Sequence, residues 1–167
     1  MAPPVWVPGQ VLNASDINSW FVPIAAIKTS DQSVTSSTTV VNDTALVVAM
    51  PATGTYFFEC FVEYDGGTGG SSDIKFNWAV PTSATLRYTM TTRNLSNNPV
   101  AGDATTGSTT NTASSGGAGV LRAIGMVGSL VMAGTAGNLQ FQWAQNTSSA
   151  TSTIVHAQSM MLLYRMT

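Results

Sequence analysis

The chain has 167 residues, enough for one domain, and carries only six Lys and Arg against eight Asp and Glu. Charged residues make up 8% of it, where an ordinary domain has about 25%, and 18 Ser with 23 Thr take their place. A hydrophobic fraction of 44% excludes a disordered solvating chain, six scattered cations exclude a dedicated nucleic-acid binder, and one Cys with one His exclude an intrachain disulfide and most zinc sites.

Residues 1 to 27 read as an N-terminal arm and residues 28 to 167 as one β-domain. Pro3, Pro4, Pro8 and Pro23 make both ends of the arm extended, and Asn13 to Phe21 between them reads as a short helix capped by Asn13 or Ser15. Two turns of helix are too few to persist in water, so Leu12, Ile17, Trp20 and Phe21 need a surface to pack on. Val5, Trp6 and Val7 add to an apolar content that a free tail does not carry. The start lacks the basic and apolar regions of a secretory signal, which implies synthesis and folding in the cytosol. The span from Ala123 to Tyr164 has no Asp, Glu, Lys or Arg, but its glycines and amides rule it out as a membrane helix.

From about Val34 the period becomes two. Tyr56, Phe58, Cys60, Val62 and Tyr64 alternate with Phe57, Glu59, Phe61 and Glu63, which predicts a long strand. Strands are also predicted at 74 to 80, 86 to 90, 139 to 143 and 159 to 166, with shorter ones at 38 to 41, 45 to 49, 152 to 156 and 121 to 132, the last open to a split at Gly125 or Gly128. Turn signals stand at Asn42-Asp43, Ala52 to Gly54, Asp65 to Gly70, Pro81 to Ser83 and Ala133 to Gly137. The expectation is an all-β, antiparallel, jelly-roll-like β-sandwich; an immunoglobulin-like sandwich is the alternative, though no Cys…Trp…Cys framework supports it. Residues 101 to 119 are almost wholly Gly, Ala, Ser, Thr and Asn and read as a long connection, either exposed or ordered by a neighbouring subunit.

Catalytic patterns are scarce. Glu59 and Glu63 fall on one face of one strand about 13 Å apart, farther than a glycosidase pair. His156 has no acidic neighbour in sequence, no Gly-x-Ser-x-Gly occurs, and the glycine runs precede neither Lys-Ser/Thr nor a helix. Cys60 falls on the inward face and reads as a small buried hydrophobe. No catalytic residue, cofactor or metal is expected. Phe57 and Phe61 point away from the Tyr56/Phe58/Val62 face, so a subunit interface is the simplest cover for them.

The run Trp6-Val-Pro-Gly-Gln-Val-Leu-Asn-Ala-Ser-Asp-Ile-Asn18 resembles the W-x-x-G-x-x-L-T-A-x-D-[ILM]-N opening of virion structural proteins of tailed bacteriophages, especially those infecting actinobacteria. It matches at Trp6, Gly9, Leu12, Ala14, Asp16, Ile17 and Asn18, with Asn13 where Thr is usual. Behind it, Asn42-Asp43 with Leu46, Gly54-Thr-Tyr56, Trp78, Gly137-Asn-Leu139, Trp143-Ala-Gln145 and His156 to Ser159 are similar to the β-domain that follows this opening. The resemblance implies a non-enzymatic head decoration protein, a homotrimer on the capsid exterior with the major capsid protein as partner and no nucleic acid or membrane contact. In that role Val5, Trp6, Val7, Leu12, Ile17, Trp20 and Phe21 would make capsid or subunit contacts, and Phe57 and Phe61 the oligomer interface. A tail or fibre component binding the host surface, and a carbohydrate-binding module, are the alternatives.

Overall fold

The computed structural model describes residues 7–11, 13–67, 73–94, 96, 98–107 and 109–167, with side chains except at 16, 19–21 and 100–106. A helix α1 (Ala14–Phe21) is followed by β1 (Ile24–Ile27), β2 (Gln32–Val34), β3 (Val41–Met50), β4 (Thr53–Gly66), β5 (Ile74–Ala79) and β6 (Thr85–Arg93). Then come β7 (Pro99–Thr106), β8 (Asn111–Ala113), β9 (Gly117–Ala133), β10 (Gly137–Gln145), β11 (Thr153–Val155) and β12 (Met160–Arg165). All pairings among the described residues are antiparallel. The large sheet runs β1-β12-β4-β9-β6-β7, with β11 joining β4 beyond the end of β12 and β2 outside β11; the small sheet runs β3-β10-β5-β8. The chain is thus an all-β antiparallel sandwich, as its period-two segments predict.

Strand β4 anchors the core because its alternation is strict. Tyr56, Phe58, Cys60, Val62 and Tyr64 are each at most 4% exposed, and they face the small sheet across an aromatic seam. The Phe58 ring meets Trp78 edge-on at 5.2 Å, and Trp78 meets Phe141 at 5.1 Å. Offset and edge contacts of this kind add about 0.5–1.5 kcal/mol each to the burial of the rings. Cys60 lies inside as expected, and burial, reinforced by the charge of Asp43, pushes its thiol pKa well above the ordinary range. Burial also pushes the Tyr64 phenol up to about 12, and its hydroxyl donates to the Ser114 carbonyl at 2.6 Å.

Several expectations are corrected. Residues 24–27, read as the end of the arm, form strand β1, paired with β12 from Ile24↔Leu163 to Ile27↔Met160. Residues 38–40 are not strand, and β2, which no pattern announced, pairs with β11. The low-complexity run at 101–119 is not one long connection: β7 pairs with β6, β8 pairs with β5, and β9 already begins at Gly117. Backbone ladders order it without any apolar face. Nor does β9 split at Gly125 or Gly128. Gly128 is a site of close approach: a Cβ there would lie 2.0 Å from the carbonyl oxygen of Arg87 on β6, so only glycine lets the two strands pair.

Asn42-Asp43 is not a turn between strands but part of an irregular multi-residue bulge inside β3, where the register against β10 jumps between Gln140↔Val47 and Gln142↔Asn42. Side chains replace the broken ladder. Asp43 Oδ1 accepts the N–H groups of Ala45 and Leu46, both at 2.9 Å. Gln32 Oε1 accepts Thr44 N–H at 2.8 Å, while Gln140 Nε2 donates to the Asp43 carbonyl at 2.6 Å. Into this bulge reaches Lys28, whose Nζ donates to Asp43 Oδ2 at 3.0 Å and Oδ1 at 3.1 Å, both side chains being fully buried. Trp143 Nε1 completes the set at 3.2 Å from Oδ2. A buried ion pair survives only when its remaining hydrogen-bonding capacity is met, and here four donor groups make five hydrogen bonds to one carboxylate.

Candidate interaction face

Among the described residues, the outer face of the large sheet carries exposed apolar side chains. Cross-strand register places Ile27, Met160, Phe61, Gly125 and Thr91 in one row, and Ala25, Leu162, Glu59, Val127 and Thr89 in the next. Tyr164, Phe57, Ser129 and Arg87 form a third row, and Thr55, Val131 and Thr85 a fourth. The apolar members stay in water: Phe57 is 37% exposed, Phe61 42%, Val127 47% and Ile27 58%. Phe57 and Tyr164 lean together with ring centroids 6.4 Å apart.

Phe61 stands as a ridge between two shallow hollows. One, of about 250 Å³, is bordered by Glu59, Val127, Met160 and Leu162 and exists because Gly125 adds no side chain there. The other, about 350 Å³, continues toward Thr91, Arg93 and Pro99. Charge on this relief is sparse, and neither Glu59 nor Arg87 has an ion-pair partner among the described residues. A ridged, apolar, weakly charged sheet face is suited to burial against another protein surface and offers no catalytic constellation.

The arm meets its own domain at one end of the sandwich. Asn18 and Val22 border a groove of about 200 Å³ with Ile24, Pro51, Tyr56, Leu163 and Arg165. Asn13 occupies the N-cap position but its side chain makes no capping hydrogen bond. Val7 (60% exposed), Val11 and Ile17 stay open to water. Of the other arm residues expected to make contacts, Val5, Trp6 and Leu12 lie outside the described residues, as do the side chains of Trp20 and Phe21.

Glu59 and Glu63 lie on the outer face with no shared task. His156, isolated in sequence, is brought against two carboxylates: Asp31 Oδ2 lies 3.1 Å from Nδ1 and Asp65 Oδ2 3.6 Å from Nε2. Neither this cluster nor the Lys28–Asp43 pair is visible in local sequence, because their members lie far apart along the chain. Among the described residues no three His, Cys, Asp or Glu are placed to share a metal ion, and no helix is long and apolar enough to cross a membrane.

No family model matches the chain, and no curated protein sequence does. Among solved structures it is similar, over 99% of its length and 75% of the other chain, to the tripod from the baseplate of bacteriophage Tuc2009, at 12% identity and a TM-score of 0.36. Structures of infectious bursal disease virus also match, the Gt strain at 13% identity and TM-score 0.21 and the Gx strain at 7% and 0.24; the chain spans 47% and 44% of those chains.

Proposed function

We propose that this chain is a non-enzymatic structural component of a tailed-phage particle, a head decoration protein that binds the capsid exterior as a homotrimer and stabilises it. The observation that carries the assembly part is the outer face of the large sheet, where Phe57, Phe61, Val127, Val131, Met160 and Tyr164 are exposed together. Isolated subunits rarely leave such a face in water, and a chain with 8% charged residues cannot screen it. The phage assignment rests on the Trp6 to Asn18 resemblance, and trimer over dimer rests on that resemblance as well. Exposed Val7, Val11 and Ile17 fit an arm whose apolar residues, Trp6, Trp20 and Phe21 among them, become buried against neighbouring subunits or the major capsid protein. Repetition over many copies turns modest contacts into firm attachment through avidity.

Sedimentation of the purified chain at micromolar concentration tests the assembly. A trimer is expected, and Phe57→Asp with Phe61→Asp should return it to a folded monomer; a wild-type monomer overturns this interface. Deleting residues 1–22 should leave the β-domain folded but unable to bind heads. Heads lacking the protein should fail earlier under heat or osmotic shock, and heads as robust as wild type, with the protein recovered in tails, would replace decoration by a tail or fibre role.

A further inference from the structure

When copies of this chain cover one another's large sheets, as proposed above, the lopsidedness of that face determines which parts meet. On β4 and β12 stand Phe57, Phe61, Met160 and Tyr164, all exposed, which make a raised apolar flank. On β6 the exposed side chains are Thr85, Arg87, Thr89 and Thr91, a low polar flank. Between the two, β9 presents Gly125, Val127, Ser129 and Val131, none larger than valine. A flank of large side chains packs more closely on a flank of small ones than on its own likeness.

Charge divides the same way. Among the described side chains of the four cross-strand rows there is one acid and one base, Glu59 on the raised flank and Arg87 on the low one. Glu59 lies opposite Val127 and Arg87 opposite Ser129, so they stand on either side of β9 and two residues out of step. With strands about 4.8 Å apart and about 3.4 Å per residue, their Cα atoms are about 12 Å apart. No ion pair joins them, and neither pairs with another described residue. Water solvates both in a lone subunit. Covering the face removes that water, which is unfavourable for any charge left without a counter-charge. A second copy supplies both missing partners, because it brings an Arg87 for this Glu59 and a Glu59 for this Arg87.

We infer that Arg87 of one copy enters the hollow beside Glu59 of the next. That hollow, about 250 Å³, suits an arginine: Val127 and Met160 border it for the aliphatic stem, Glu59 offers its carboxylate to the planar guanidinium, and the Phe61 ring offers a face for stacking. Gly125 keeps the space open, since a Cβ there would meet nothing within 4 Å. Each copy gives its low flank to one neighbour and receives the low flank of the other on its raised flank. Such a contact is head-to-tail and closes as a ring.

Sedimentation of the full chain at micromolar concentration, with E59R, R87E, E59R/R87E and G125Q beside wild type, tests this pairing. Like charges brought face to face should weaken assembly of each single charge variant at least about tenfold, and the exchanged pair in E59R/R87E should recover it. G125Q puts a side chain into the hollow and should weaken assembly as well. Thermal unfolding should show a folded subunit in every case, because positions 59, 87 and 125 lie outside the core. Mixing E59R with R87E separates a ring of three from a two-fold pair. In a two-fold pair of unlike copies both contacts become complementary, whereas a ring of three built from two kinds of copy always keeps a like-charged contact. The mixture should therefore fall short of the recovery seen in E59R/R87E, and full recovery in it overturns the ring. A wild-type trimer that the single charge variants leave intact, a double variant as weak as the singles, or a G125Q that assembles like wild type overturns this inference and leaves the assembly reading standing. A wild-type monomer overturns both.

Discussion

Replacing Asp43 by Ala is the most informative single perturbation of the fold. The substitution strands Lys28, whose side chain is fully buried, and removes the acceptor for Ala45 N–H, Leu46 N–H and Trp143 Nε1–H. A buried pair broken on one side loses about 3–5 kcal/mol, and each orphaned neutral donor loses about 1–3 kcal/mol where water cannot reach it. These losses overlap because the bulge relaxes as a unit, so about 4–5 kcal/mol is expected for D43A. For a domain of this size that lowers the melting temperature by about 8–20 °C. K28M should lose less, about 2 kcal/mol, because Asp43 keeps three N–H donors after the ammonium is gone. Urea unfolding of D43A, K28M and K28M/D43A closes the cycle, and the double variant should be at least about 1 kcal/mol more stable than the sum of the singles predicts. If D43A proves no worse than K28M, the carboxylate is not the organiser of the bulge and the reasoning fails.

Three further outcomes are expected. Gly128→Ala should destabilise by about 3 kcal/mol or lose the native fold, because its Cβ would sit 2.0 Å from the Arg87 carbonyl oxygen; equilibrium unfolding measures it, and a neutral effect would mean that β9 and β6 separate freely. Cys60 should stay unreactive toward a thiol reagent at about pH 8 until the chain unfolds, since burial keeps it protonated; rapid labelling of the native protein would contradict its place in the core. Removing residues 109–116 deletes β8 and the Ser115 N–H and hydroxyl that bind Asp73 Oδ1, so unfolding free energy should fall by more than about 1 kcal/mol, whereas a mere connection would tolerate the cut.

Strands whose side chains alternate in polarity were legible without coordinates. In β4, Tyr56 to Tyr64 shows both its length and its buried face, and the same alternation places Phe57 and Phe61 outside. Strands β7 and β8 were not legible, because period two is a signal of side-chain polarity and residues 101–119 have almost no polarity contrast. Their order comes from hydrogen bonds to β6 and β5 that composition does not encode. Lys28 and Asp43 are 15 residues apart and His156 and Asp31 125 apart, too far for any local pattern to join them. The available hint was scarcity, since in a chain with six cations a lysine next to Ile27 is better explained by a buried partner than by solubility.

The bulge in β3 also determines how this protein behaves when crowded. β3 borders the small sheet, and a straight border strand is a template on which copies add one after another without limit. Many proteins block such growth with lysines along the border, but this chain has two lysines in all, at positions 28 and 75. Here geometry does the blocking: the N–H groups of residues 44, 45 and 46 and the carbonyls of 42 and 43 are already bonded to side chains of the same subunit. An incoming strand finds no continuous ladder to extend, so a nearly uncharged chain can reach high local concentration without polymerising through that border.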